Sequence, residues 1–92
     1  RAERNSYKLD LQFGNGDAIE LFSFPNPPVR INNPEACGLR HLAFAVEDIK
    51  QSVAYLKFHN IDVEEIRIDE ITGKQFTFFR DPDNLPLEIY ET

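Results

Sequence analysis

The chain has no methionine, no tryptophan, a single cysteine and no apolar run longer than five residues. The longest such run, Leu42 to Val46, is far short of the roughly 20 residues that span a bilayer, which argues against a membrane helix. One cysteine, Cys37, cannot form an internal disulfide, which fits a reducing cytoplasm, and nothing around it marks it as a nucleophile. Basic residues are also scarce. Ten Lys and Arg stand against sixteen Asp and Glu, a net charge of −6, which argues against a partner whose phosphates must be neutralised, such as nucleic acid. No charged segment followed by an apolar stretch opens the chain, so no secretory signal is read. The first residue is Arg1, and a strand pattern begins only a few residues later. Both features suggest that a natural N-terminal portion precedes this sequence. A chain of 92 residues buries only about 60–65% of its unfolded surface, so a partner subunit is a natural supplement to its core.

Tyr7, Leu9, Leu11 and Phe13 alternate with polar residues, the period of a half-buried strand. Asn15-Gly16 then favours positive φ in a tight hairpin, and a second strand follows from Ala18 to Phe24. Pro25, Pro27, Pro28 and Pro34 exclude helix and central strand, making residues 25–38 a linker. Leu39 to Val46 reads as a strand with apolar residues on both faces, hence central. Asp48 caps a helix whose Ile49, Val53 and Leu56 form one apolar stripe, and Asn60 is placed for a left-handed stop. Strands are expected over Val63–Ile68, Gln75–Arg80 and Leu85–Glu91, with turns at Ile71-Thr72-Gly73-Lys74 and Asp81-Pro82-Asp83-Asn84. The second half thus spells β-α-β-β-β.

The first half repeats the end of the second. Ile19-Glu20-Leu21-Phe22 and Leu87-Glu88-Ile89-Tyr90 share the pattern aliphatic, Glu, aliphatic, aromatic at an offset of 88 − 20 = 68, and at that offset a turn precedes each. The expected organisation is a remnant of a first module over 1–24, a linker over 25–38 and a complete second module over 39–92.

Glu20 shares a strand face with Phe22 and Phe24, and Glu88 with Tyr90. A glutamate on a half-exposed strand is ordinarily just a solvated residue. The company of rings points instead to a partly enclosed carboxylate, which needs a cation or a proton. His41 shares its face with Leu39, Ala43 and Ala45, and the alanines leave room for a ligand. A lone strand histidine is ordinarily structural; one His with two Glu offers mixed N/O ligation for a divalent ion. His59, at the helix end, is read as exposed.

The run Gly38-Leu39-Arg40-His41-Leu42-Ala43-Phe44 resembles the opening strand of a vicinal-oxygen-chelate module. The run from Phe78 to Ile89, with Arg80-Asp81-Pro82-Asp83-Asn84 inside it, resembles the closing turn and strand. Ile19 to Pro25 with Pro34 to Gly38 is similar to a bacterial glyoxalase-like subgroup of that superfamily, which also holds bleomycin-resistance proteins and extradiol dioxygenases. The resemblance implies an α+β fold of paired βαβββ modules forming a curved, mostly antiparallel sheet, with the first module truncated. It implies Glu20, His41 and Glu88 as ligands of a divalent metal ion (Ni, Zn, Co, Mn or Fe), with a further histidine that has no position in this sequence. It also implies a lyase or isomerase of the lactoylglutathione-lyase kind, acting on a small α-hydroxycarbonyl compound through a metal-stabilised enediolate. Glu88 or Glu20 would move the proton. Nothing marks a strong site for the carboxylates of glutathione; Arg1, Arg4 and Arg40 are the candidates. Two other readings stand beside this one: a metal-free protein that sequesters a planar ligand, and an iron dioxygenase. Small-molecule substrate, cytoplasmic location, homodimer, no nucleic acid and no membrane complete the expectations.

Overall fold

A computed structural model describes residues 6–92; Arg1 and Arg4, two of the candidate basic residues, lie outside the described residues. Six strands and one helix run in the order β1 (Lys8–Gln12), β2 (Ala18–Phe22), β3 (Leu42–Val46), α1 (Ile49–Phe58), β4 (Arg67–Ile68), β5 (Gln75–Arg80) and β6 (Pro86–Glu91). β1 and β2 form a two-stranded antiparallel sheet. The other four form a mixed sheet ordered β3-β6-β5-β4, in which only β3 and β6 run parallel. The fold is therefore α+β. Among the described residues no helix is long and apolar enough to cross a membrane.

The offset of 68 extends from a four-residue pattern to the hydrogen-bond register. All five pairs of the first hairpin, from Lys8 opposite Phe22 to Gln12 opposite Ala18, become pairs of the second hairpin when 68 is added to each number. The turns correspond as well. Phe13 N–H donates to Asp17 O at 2.8 Å, and Asp81 N–H to Leu85 O at 3.0 Å; Gly16 N–H donates to Phe13 O at 3.2 Å, and Asn84 N–H to Asp81 O at 3.0 Å. Of the Asn15-Gly16 pair only Gly16 takes a positive φ, 97°, and Asn84 takes 71° at the matching place.

α1 begins and ends as its sequence requires. The Asp48 side chain accepts a hydrogen bond from Gln51 N–H at 3.1 Å, supplying an acceptor to an N-terminal donor that has none within the helix. At the other end Asn60 adopts φ 61°, Asn60 N–H donates to Lys57 O and Ile61 N–H to Leu56 O, the paired bonds of a Schellman stop. Ile49 is buried, and α1 packs on β6, where Ile89 is also buried. His59 is exposed, as expected, and lies against the Tyr55 and Phe58 rings.

Three expectations are corrected. First, β3 begins at Leu42, not Leu39, and lies at the edge of its sheet rather than in the centre. Leu42, Phe44 and Val46 are half-buried, while Ala43 and Ala45 are exposed. The second apolar face consists of alanines, whose single methyl groups do not demand burial. Second, β1 is exposed throughout rather than half-buried: Tyr7 and Leu9 are 75% and 59% exposed, and Leu21 across from Leu9 is 45% exposed. The corresponding face of the second hairpin carries Thr77, Phe79, Leu87 and Ile89 and lies under α1, whereas α1 is the one helix among the described residues. Third, the strand expected over Val63–Ile68 is reduced to Arg67 and Ile68, preceded by an isolated bridge from Val63 to Phe79. Unbroken register from that bridge would set Ile66 opposite Phe76, but Arg67 stands there, so one extra residue is inserted. Thr77, fully buried, accommodates the insertion: its hydroxyl meets Glu64 O at 2.8 Å and Glu65 O at 3.2 Å.

Candidate functional site

Strand alternation divides the larger sheet into two unlike faces. Leu42, Phe44, Val46, Phe79, Leu87 and Ile89 point to the α1 side, which is apolar. The other face carries Phe76, Phe78 and Arg80 from β5, Glu88 and Tyr90 from β6, and Ala43 and Ala45 from β3. The residue insertion before β4 adds Arg67 to this face. Without it, Ile66 would stand opposite Phe76 and Arg67 would turn toward the helix side.

His41 immediately precedes β3, and the parallel pairing of β3 with β6 sets Ala43 opposite Glu88. The His41 Nε2 thereby comes within 3.2 Å of Glu88 Oε1, a hydrogen bond when the imidazole proton is on Nε2. The pair is sheltered, with side chains 31% and 14% exposed. The Phe78 ring meets His41 edge-on at 5.2 Å between centroids, and Arg67 stacks its guanidinium over Phe76 and Phe78 at 5.1 and 5.4 Å.

Glu20 does not join this pair. It forms an ion pair with Lys8 at 3.5 Å and is 57% exposed, so the expected enclosure among rings holds for Glu88 and not for Glu20. Phe22 and Phe24 stack on each other, 6.4 Å between centroids. Among the described residues no group of three or more His, Cys, Asp or Glu side chains is placed to hold a metal ion. The donor set still suits a divalent ion in kind, since an imidazole nitrogen and a carboxylate oxygen converge on one point. In number it supplies two ligands.

Beside the pair lies a cavity of about 200 Å³, smaller than the roughly 300–1,000 Å³ of clefts for drug-sized ligands. Arg30, Arg40, Arg67 and Arg80 line it together with His41 and Phe78. Of these arginines only Arg40 is a candidate from sequence. Arg80 was legible in principle, because β5 alternation puts it on the face of Phe78. Arg67 was not, because the inserted residue inverts its side. The segment expected to be only a linker forms part of the wall. Arg30 within it donates to the carbonyls of Leu39 and Arg40 at 2.6 and 2.9 Å, and Glu35 meets Arg40 at 2.7 Å. A hydrogen bond from its own backbone and the Arg40 guanidinium hold the Glu35 carboxyl below its ordinary range.

A second polar cluster flanks Glu88. Tyr90 donates to Asp69 Oδ2 at 2.8 Å and is also hydrogen-bonded to the Thr72 hydroxyl. The Tyr90 bond, with the Ile71 N–H, lowers the Asp69 pKa. For the phenol the Thr72 hydroxyl acts to lower the pKa, but desolvation and the nearby Asp69 and Glu88 carboxylates prevail, and it is raised.

These elements match known proteins. Residues 2–89 fit the Glyoxalase/Bleomycin resistance protein/Dioxygenase superfamily, and the chain belongs to that family. It is 59% identical over 91 residues to the Escherichia coli (strain K12) protein named uncharacterized protein YaeR, covering 99% of this chain and 70% of that one. A crystal structure of a glyoxalase family protein from Enterococcus faecalis superposes with a TM-score of 0.91 at 49% identity, over 99% of this chain and 71% of that one. A lactoylglutathione lyase from Agrobacterium tumefaciens shares the fold, with a TM-score of 0.61 at 21% identity over 91% of this chain and 67% of that one.

Proposed function

We propose that this chain carries part of a divalent-metal site of a lyase or isomerase acting on a small α-hydroxycarbonyl compound. The observation that supports this reading is the convergence of His41 Nε2 and Glu88 Oε1 beside a sheltered cavity. His41 and Glu88 would hold the ion, with Glu20 as a further ligand contributed by the other hairpin. A bound divalent ion supplies Lewis-acid stabilisation for negative charge on two neighbouring oxygens. Glu88, a carboxylate on a partly enclosed face, is the group to take a proton from one carbon and return it to the next. Phe78 stands opposite Glu88 on β5, and the Glu88 side chain is only 14% exposed, which limits access of water to that carboxylate. A homodimer remains part of the proposal, since β3 offers a free strand edge and the first hairpin an exposed apolar face.

The separation of Glu20 from the other two favours one competing reading, a binding protein that sequesters its ligand without metal. Metal content decides between them. The protein purified without chelators should hold a stoichiometric divalent ion, lost in His41→Ala and Glu88→Ala variants that keep the native circular dichroism. A folded protein that takes up no added divalent ion would overturn the metal reading and leave sequestration.

A further inference from the structure

We infer that the cavity beside His41 takes a ligand bearing an oxyanion group, carboxylate or phosphoryl, gripped by Arg67 and Arg80. The inference rests on the reading of this cavity as the substrate site, and names the chemistry of one end of the substrate. The chain as a whole is acidic, −6, with only six arginines, yet four of the six line this one cavity. They face two lining carboxylates, Glu35 and Glu64, and even with Glu88 included the local balance stays positive. Concentrated positive charge against the sign of the chain is an electrostatic funnel for anions.

The four guanidinium groups have different duties. Arg30 is committed to the carbonyls of Leu39 and Arg40 and to Asn32 Oδ1, and Arg40 to Glu35 at 2.7 Å. Arg67 and Arg80 are not so committed. Arg67 reaches Glu64 only at 3.5 Å, and Arg80 donates to the neutral Asn84 amide at 3.1 Å. Each retains N–H donors in the planar fork that matches carboxylate and phosphoryl oxygens.

The backbone independently selects Arg67 for this face. The single inserted residue before β4 puts Arg67 on the face of Phe76 in place of Ile66, and the buried Thr77 hydroxyl accommodates this by donating to Glu64 O and Glu65 O. Insertions of this kind re-aim side chains next to functional sites. Phe76 and Phe78 then hold the guanidinium in place from beneath, so little side-chain freedom remains to be lost when an anion binds. Phe78 lies between Arg67 and His41, so the anionic group sits at one end of the ligand and the reacting atoms at the other.

The test uses the 92-residue chain freed of metal with a chelator, titrated with inorganic phosphate and with malonate at constant ionic strength in chloride. Binding is read from the Nε–Hε resonances of Arg67 and Arg80. Saturable shifts of those two signals are expected, with affinity at least tenfold weaker in Arg67→Ala and in Arg80→Ala and unchanged in Lys57→Ala. Arg67→Lys, which keeps the charge without the fork, should also lose affinity. Tighter phosphate than malonate identifies a phosphoryl group, and the reverse a carboxylate. Shifts no larger than chloride gives, or equal affinity in the folded Arg67→Ala and Arg80→Ala variants, would overturn the inference. Anion binding by a chain that takes up no divalent ion leaves this inference standing and removes the metal reading; metal uptake without anion binding does the opposite.

Discussion

Tyr90 donates a 2.8 Å hydrogen bond to Asp69, two positions past Glu88 on the same face of β6. The bond ties the turn after β4 to the strand that carries the site carboxylate, and the Phe76 ring stacks on Tyr90 at 6.0 Å to hold it there. Tyr90 is thus a positioning residue for Glu88's surroundings.

Replacing Tyr90 by Phe should raise the Asp69 pKa toward the ordinary carboxylate value, because the phenol is the largest of the groups lowering it. A depressed folded-state pKa contributes stability that is present above the unfolded-state value and lost as pH falls through the folded one. Tyr90→Phe should therefore lower stability most in the neutral region, flatten the acid limb of the stability curve below the ordinary aspartate pKa, and leave the most acidic region unaffected. Carboxyl carbon shifts followed by NMR against pH check this; an Asp69 titration unchanged in the variant would refute it.

Thr77→Val should destabilise by about 1–3 kcal/mol despite the near-identical shape, because it removes the donor for two carbonyls at a buried position. Urea unfolding should show a lower midpoint at unchanged slope. A midpoint within error of the parent would mean that water reaches Glu64 O and Glu65 O.

The matched turns make a paired prediction. Asn84→Gly should change stability by less than about 1 kcal/mol, since glycine adopts φ 71° without strain but loses the Asn84 amide that Arg80 contacts. Gly16→Val at φ 97° should cost more than about 1 kcal/mol. Thermal or urea midpoints of the two variants settle it, and equal losses would sink the argument that the two positions are equivalent.

Asp48→Ala removes the acceptor of Gln51 N–H and should cost about 1 kcal/mol, read by urea unfolding. Asp48→Ser, which keeps an acceptor, should recover most of it.

The elements that punctuate themselves were legible. Asp48, Asn60, the Asp81–Asn84 turn and the strand over Gln75–Arg80 all stand where local chemistry puts them. The repeat was legible from four residues because glutamate between aliphatics is a strong period-two signal, and His41 with Glu88 followed from the family resemblance. What escaped depends on distant parts of the chain. Whether Ala43 and Ala45 are covered is not a property of alanine, so the edge position of β3 was hidden. The residue inserted before Arg67 is accommodated by Thr77, ten positions later, whose hydroxyl bonds two carbonyls, and no window around Arg67 contains that fact. The same applies to Arg30, which becomes a wall of the cavity only once its side chain reaches Leu39 and Arg40.

The parallel pairing of β3 with β6 carries a consequence in time. Both hairpins close over short turns, but Leu42 meets Leu87 only after a loop of 45 positions has been closed. Such long-range pairing is slow to form, and β3 lies at an edge of its sheet. The convergence of His41 and Glu88 exists only while that seam is shut. Amide exchange along β3 therefore reports directly on whether the site is assembled.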